Sequence, residues 1–141
     1  MPTSHLRIAL ADDNQVLRFC IKELLEPMGA EFTEAETGPG LLDLLDGGQF
    51  DVVITDVGMP GVSGVDVART RRGRGDHTPF VIVTGAPDRW EDVLGAVERV
   101  VLLAKPFTED ELRGAIQRAL DTTCRCGCDG RRCRPATPRP A

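Results

Sequence analysis

Read for where apolar and polar side chains fall, the chain divides into short runs of two kinds. Four runs are almost continuously apolar and are closed by polar or turn residues: Leu6–Ala11, Val52–Thr55, Phe80–Val83 and Val100–Ala104. Runs this short and this apolar are the pattern of strands buried on both faces of a parallel sheet. A fifth, Ala30–Glu36, alternates: Phe32 and Ala35 are apolar, while Glu31, Glu34 and Glu36 are polar. That is the pattern of an edge strand. Between these runs lie helical periodicities. Residues 14–28 set Leu17, Ile21, Leu24, Leu25 and Met28 on one face and stop before Gly29. Residues 39–46 carry Leu41, Leu42, Leu44 and Leu45. Residues 108–120 place Leu112, Ala115, Ile116, Ala119 and Leu120 at i, i+3, i+4, i+7 and i+8. Cys20 falls inside the first of these patterns and is expected in the core. Helix starts are signed by the pairs Thr108 with Glu111, Asp88 with Glu91 and Ser63 with Asp66.

Strand and helix therefore alternate five times, with crossovers long enough for parallel pairing. The pattern predicts a five-stranded parallel α/β sheet, doubly wound with helices on both faces, over residues 1–121. Past Asp121 the chain turns to Cys, Arg, Gly and Pro without periodicity, and residues 122–141 are expected to be a disordered tail. Twenty such residues cannot build a DNA-binding or enzymatic output domain, so output is expected to pass through another protein.

Charge and composition narrow the classes of partner. Net charge is −5, but the tail holds five Arg (Arg125, Arg131, Arg132, Arg134, Arg139) against Asp129 alone. Residues 1–121 are left with 12 basic and 21 acidic side chains, a net of −9. Such a body repels nucleic acid, so no direct nucleic-acid contact is expected. No apolar run approaches the roughly 20 residues that cross a bilayer. Met1–Leu10 also lacks the features of a secretory leader. A cytoplasmic protein without membrane contact is expected. Cys124, Cys126, Cys128 and Cys133 crowd the tail at a spacing poorly suited to zinc, with no His beside them, and are expected to be free thiols.

The chemistry sits just past the strong strands. The first ends in Asp12 and Asp13, the third in Asp56, the fourth in Thr84 and the fifth in Lys105 followed by Pro106. Ligands of open parallel sheets bind at the carboxyl ends of the strands, so these groups are expected to converge. Three carboxylates together repel one another, and a divalent cation with oxygen ligands is the usual remedy. Mg²⁺ fits, bound by one or two carboxylates, waters and a phosphate. Lys105 then suits one phosphoryl oxygen and Thr84 another, and a carboxylate can itself be the nucleophile. Each residue also has a plainer reading: Asp12 and Asp13 as helix caps, Asp56 as a turn residue, Thr84 as a cap, Lys105 as a solvated cation.

At four places the chain resembles the response-regulator receiver family of two-component signalling systems. The segments are Ile8 to Asn14 (IALADDN), Val53 to Gly61 (VITDVGMPG), Val81 to Gly85 (VIVTG) and Leu103 to Phe107 (LAKPF), within a resemblance covering about residues 5–120. The resemblance implies a flavodoxin-like (β/α)5 fold and a Mg²⁺-dependent phosphoacceptor switch. Asp56 is implied as the residue that takes the phosphoryl group from the phosphohistidine of a sensor histidine kinase or a histidine phosphotransfer protein. Asp13 is implied as a direct metal ligand, Asp12 as one acting largely through water, and Gly58 as a ligand through its backbone carbonyl. Thr84 is implied as the switch hydroxyl, Lys105 as the phosphate-contacting lysine, and the bond before Pro106 as cis. Signalling would pass through the face of the fourth helix, fifth strand and fifth helix to a downstream protein target. The domain would be no enzyme beyond its own phosphotransfer and autodephosphorylation.

Three departures qualify this. Leu102 stands where the family often has Tyr or Phe, three residues before the lysine. Glu98-Arg99-Val100 replaces a Gly-Ala-Asp-type turn, which implies a tight or altered turn before the last strand. Gly85, in place of Ala or Ser, leaves room for water and implies a phosphoryl group that hydrolyses rather quickly. Two other classes stay open: a phosphate-independent scaffold of the same fold, and an aspartyl-nucleophile phosphatase. The latter would be expected to carry an Asp where Gly58 stands. Met59 reads as a loop hydrophobe, His5 and His77 as solvated loop residues, and Trp90 either as a partner-binding residue or as packing.

Overall fold

The structure, a computed structural model, describes residues 6–59, 61–86, 88–90 and 99–121. The tail with its four cysteines, His5 and Glu91 lie outside the described residues.

All five apolar or alternating runs form strands: β1 (Arg7–Ala11), β2 (Glu31–Ala35), β3 (Val52–Asp56), β4 (Phe80–Thr84) and β5 (Val100–Ala104). They pair in parallel in the order β2-β1-β3-β4-β5. Burial follows position in the sheet. β4 is buried along its whole length, while the edge strand β2 exposes Glu31, Thr33 and Glu34 and buries only Ala35 fully.

Among the described residues four helices of ten residues or more return the chain between or after strands: α1 (Gln15–Leu25), α2 (Gly38–Gly47), α3 (Gly64–Gly73) and α4 (Glu109–Asp121), the last being the fifth helix of the sequence pattern. Residues 88–90 are helical as well. The start of α1 is capped by Asn14, whose side-chain oxygen accepts from the amides of Val16 and Leu17. Asp12 and Asp13 are thereby left free of capping duty. α1 is shorter than its apolar pattern because Pro27 has no amide to donate. Glu26–Met28 tighten into a 3-10 turn, closed by Gly29 at φ 78, a left-handed conformation without penalty for glycine. Ser63 accepts from the Asp66 amide at the start of α3. Thr108 and Glu111 exchange the two reciprocal bonds of a capping box before α4.

Successive residues of each strand point to opposite faces, so the sheet carries two apolar layers. On one side Ile21 and Leu25 of α1 and Leu112 and Ile116 of α4 pack on Ile8, Leu10, Ile54 and Val83. On the other, Leu41 and Leu45 of α2 and Val65 and Ala68 of α3 pack on Ala9, Val53, Phe80 and Ile82. Each large side chain so buried contributes about 1.5–3 kcal/mol. The sheet, held from both sides, is a rigid platform for whatever stands at its ends.

Cys20 departs from expectation: its thiol is exposed. The buried stripe of α1 runs through Arg18, Ile21 and Leu25. At about 100° per residue, Cys20 is turned a quarter of the way around the helix from Ile21. Arg99 forms the turn directly before β5. Arg99 is buried and holds φ 58, a left-handed value for a residue with a Cβ. Its carbonyl accepts from the Phe80 amide at 2.9 Å and from Arg72 Nη2 at 3.2 Å, which fixes that turn in place.

Candidate functional site

Asp12 follows β1, Asp56 ends β3, Thr84 ends β4 and Lys105 follows β5, so four contiguous strands deliver their polar ends to one edge of the sheet. The strand order reverses between β1 and β3, the place where open α/β sheets form a crevice for ligands. The convergence expected from the sequence is met.

The centre of the site is Asp56, whose side chain is 13% exposed. Lys105 Nζ lies 3.1 Å from Asp56 Oδ1. Asp12, Asp13 and Asp56 each offer a carboxylate oxygen within 4.8 Å of the other two. Asp12 is buried, and its main chain is fixed by an amide bond to the Ala35 carbonyl at 3.1 Å. Its Oδ1 accepts from the Asn14 amide at 2.8 Å. Burial raises the Asp12 carboxyl above its ordinary value, helped by repulsion from Asp56 and Asp13; the Asn14 amide and Lys105 act against the rise. Three acids therefore face one ammonium, an imbalance that a bound cation would relieve. All the side-chain donors are oxygens, which suits a hard divalent ion, and one buried carboxylate leaves room for waters and a phosphate among the ligands. The donor set fits Mg²⁺.

The loop after β3 is packed tightly. Gly64 donates its amide to the Val57 carbonyl at 3.0 Å, and a methyl group at position 64 would come within 2.4 Å of the Asp56 carbonyl oxygen. Gly58 is exposed beside the cluster; a methyl group there would stand 4.0 Å from Asp56 Oδ2. Met59 is buried with its sulfur 3.8 Å from the Thr55 hydroxyl, the loop hydrophobe expected.

Thr84 is buried, and its hydroxyl oxygen accepts from the Ala86 amide at 3.0 Å. Its carbonyl accepts from the Lys105 amide at 2.8 Å. Asp56 is in register with Val83, so Thr84 stands one residue further along the neighbouring strand. The bond between Lys105 and Pro106 is cis, as the resemblance implies. Leu102 is half-buried and packs in the layer with α2 and α3. Trp90 is half-buried against the same layer, with the Arg89 guanidinium 5.6 Å from its ring centre, so packing accounts for part of its surface. His77 lies in the loop before β4, at the other edge of the sheet from Asp56.

Besides Asn14, a further residue near the site carries no expectation from the sequence. Arg18 is buried on α1 and donates from Nη1 to the Asp12 main-chain carbonyl. The signal was present in the periodicity: residue 18 stands at i−3 from Ile21 and i−7 from Leu25, on the inward stripe.

A doubly wound sheet of this strand order, with clustered carboxylates and a lysine at its switch point, defines a domain of the flavodoxin-like receiver class. The chain belongs to the response regulator receiver domain family, whose model matches residues 8–117. It is 34% identical over 121 residues to the chemotaxis protein CheY of Pseudomonas aeruginosa, covering 82% of this chain and 97% of that protein. It is 32% identical over 122 residues to the transcriptional regulatory protein FixJ of Bradyrhizobium diazoefficiens, covering 84% of this chain but 58% of that protein. Among solved structures, the response regulator TrrA of Thermotoga maritima in complex with Mg²⁺-BeF superimposes with a TM-score of 0.72 at 31% identity, over 82% of this chain and 99% of that one. Receiver domains accept a phosphoryl group from histidine kinases and signal to downstream targets; they are phosphoacceptor switches rather than enzymes in the usual sense. Among the described residues no helix is long and apolar enough to cross a membrane.

Proposed function

We propose that this protein is a cytoplasmic Mg²⁺-dependent phosphorylation switch in which Asp56 accepts the phosphoryl group from a phosphohistidine and a protein partner reads the result. The observation that carries this reading is the Lys105 ammonium 3.1 Å from Asp56 Oδ1 within a cluster of three carboxylates. A structural ion pair needs one acid; the surplus of two supports a site built for a cation and a phosphate together.

Asp56 would attack phosphorus in line through a carboxylate oxygen. The phosphorus–nitrogen bond to the donor histidine breaks, the electron pair leaves with the imidazole, and an acyl phosphate remains on Asp56. Asp12, Asp13, Asp56 and the Gly58 carbonyl would hold Mg²⁺, which supplies positive charge to the phosphoryl oxygens. Lys105 would add a second positive charge at the phosphoryl group. The acyl phosphate brings about two negative charges. To meet them the Thr84 hydroxyl, whose oxygen now accepts from the Ala86 amide, would donate its hydrogen to a phosphoryl oxygen and draw its loop toward the site. Because Thr84 and Lys105 are joined through a main-chain bond, the adjustment reaches β5, and the surface of β5 and α4 is the one a downstream protein would read.

The full chain incubated with MgCl₂ and acetyl phosphate should gain the mass of one phosphoryl group, with the label on Asp56. Asp56→Asn, or EDTA, should abolish the gain. No label on the wild-type chain would leave the scaffold reading in its place, and release of inorganic phosphate over many turnovers would favour the phosphatase.

A further inference from the structure

Arg18 is a buried charge that phosphoryl transfer does not use. On the helix it stands beside Phe19 and Cys20, both exposed, yet its own side chain is only 8% exposed. Three contacts account for its position. Nη1 donates to the Asp12 main-chain carbonyl, Nε donates to Glu34 Oε1 at 2.9 Å, and Nη2 lies 3.8 Å from Glu36 Oε2. A strut from α1 to the edge strand would explain the contacts to β2, but that tie already exists. Lys22 Nζ reaches Glu34 Oε2 at 2.6 Å. What Arg18 adds is the bond to Asp12.

That carbonyl belongs to the peptide plane that also carries the Asp13 amide. Holding it sets the last torsion of Asp12 and the first of Asp13, the two that aim the adjacent carboxylates. The other side of Asp12 is already held by its amide bond to Ala35, so the Arg18 bond completes the restraint. The guanidinium charge is met by Glu34 and Glu36 on the far side, so it does not oppose a cation at the carboxylate cluster.

We propose that Arg18 is a positioning residue for the cation site: it touches no ligand, and it sets divalent-cation affinity by orienting the Asp12–Asp13 peptide. The proposal rests on reading Asp12, Asp13 and Asp56 as a Mg²⁺ site.

The test is an amide chemical-shift titration of the full chain with MgCl₂ alone, no phosphodonor present. Arg18→Ala should raise the Mg²⁺ dissociation constant about tenfold, as loss of an outer support for a metal ligand does. Arg18→Lys keeps one donor and should recover part of this, leaving about a threefold loss. Glu34→Gln leaves the bond to Asp12 intact and should stay within about twofold of wild type. A plain strut predicts otherwise: Arg18→Ala and Glu34→Gln would both lower the thermal midpoint while Mg²⁺ affinity stayed the same. An Arg18→Ala affinity equal to wild type overturns the proposal. Should that variant not fold, an unchanged affinity in Arg18→Lys overturns it equally. A wild-type chain that shows no Mg²⁺-dependent shifts removes the cation reading itself, a failure distinct from that of Arg18 alone.

Discussion

Lys105 sets its ammonium 3.1 Å from Asp56 Oδ1 although β4 lies between the strands that carry them. The lysine side chain must therefore cross the end of β4, over Thr84, to reach the carboxylate. That path makes Lys105 a counter-ion to Asp56 and, on the proposed function, would make it a contact of the phosphoryl group afterwards. It has opposite consequences for the two events.

Lys105→Met should bind Mg²⁺ more tightly than wild type and accept phosphate more slowly. Removing the ammonium leaves three carboxylates uncompensated, and a gain of about 1 kcal/mol, several-fold in affinity, is the scale for a unit charge a few ångströms away. The same change withdraws a cation from the phosphoryl group. Metal titration and the labelling rate from acetyl phosphate, measured on the same variant, check the pair; movement of both in one direction would contradict it.

Two glycines at the site should respond differently to an added methyl group. Gly64→Ala meets the Asp56 carbonyl oxygen at 2.4 Å, a backbone atom that cannot swing aside. Overpacking of this kind costs about 1–3 kcal/mol, and here α3 and Asp56 must separate, so labelling should fall with stability. Gly85→Ala meets no neighbouring atom within 4 Å. Its stability should stay within about 0.5 kcal/mol of wild type, while the phosphoryl group is lost more slowly as water is displaced. Urea melts and the decay of labelled protein separate the two.

Stability toward acid follows from two carboxyls shifted in opposite directions. Glu34 is held below its ordinary value by its bond from Lys22, then by Arg18. Its ionised form stabilises the fold above the unfolded value, and that contribution disappears as pH falls through the depressed folded value. Glu34→Gln should flatten this acid limb of a urea-midpoint curve. Asp12 is raised, chiefly by burial. Its ionised form opposes folding at neutral pH, and the opposition is relieved as pH falls through the raised value. Asp12→Asn should thus raise the urea midpoint at pH 7 in EDTA. A lower midpoint there would mean that the carboxylate cluster is not under strain.

On α1, Val16 is 70% exposed and Phe19 58% exposed, directly after the carboxylate loop. On the proposed function, this exposed apolar pair beside the site would meet the phosphohistidine donor. Phe19→Ala should slow transfer from the cognate kinase by about tenfold, the loss of a modest interface anchor. It should leave labelling by acetyl phosphate unchanged. Equal rates from the kinase would place its docking elsewhere.

The strands were legible because burial on both faces forces short, continuous apolar runs, and the edge strand because one half of it is wet. The site residues were legible for a related reason: strand ends in a parallel sheet must converge, so Asp12, Asp13, Asp56, Thr84 and Lys105 could be placed together before any coordinates. Arg18 and Cys20 were not. Both stand in a helix whose apolar spacing tolerates one exception, and a cysteine looks apolar while an arginine does not. The helical stripe through Ile21 and Leu25 places Arg18 inward and Cys20 outward, but only the position of the Asp12 carbonyl shows what a buried guanidinium does there. Asn14 was similarly silent: the sequence offers Asp12 and Asp13 as caps of the first helix, and the structure gives that place to Asn14.

The groups around Asp56 arrive from four strands, the last of them β5 at the margin of the sheet. A nascent chain still lacking β5 has every carboxylate but no Lys105, so it is charged like a receiver without being one. On the proposed function, the switch waits for β5: a copy ending before residue 105 would hold the carboxylates of the site without the ammonium that faces them.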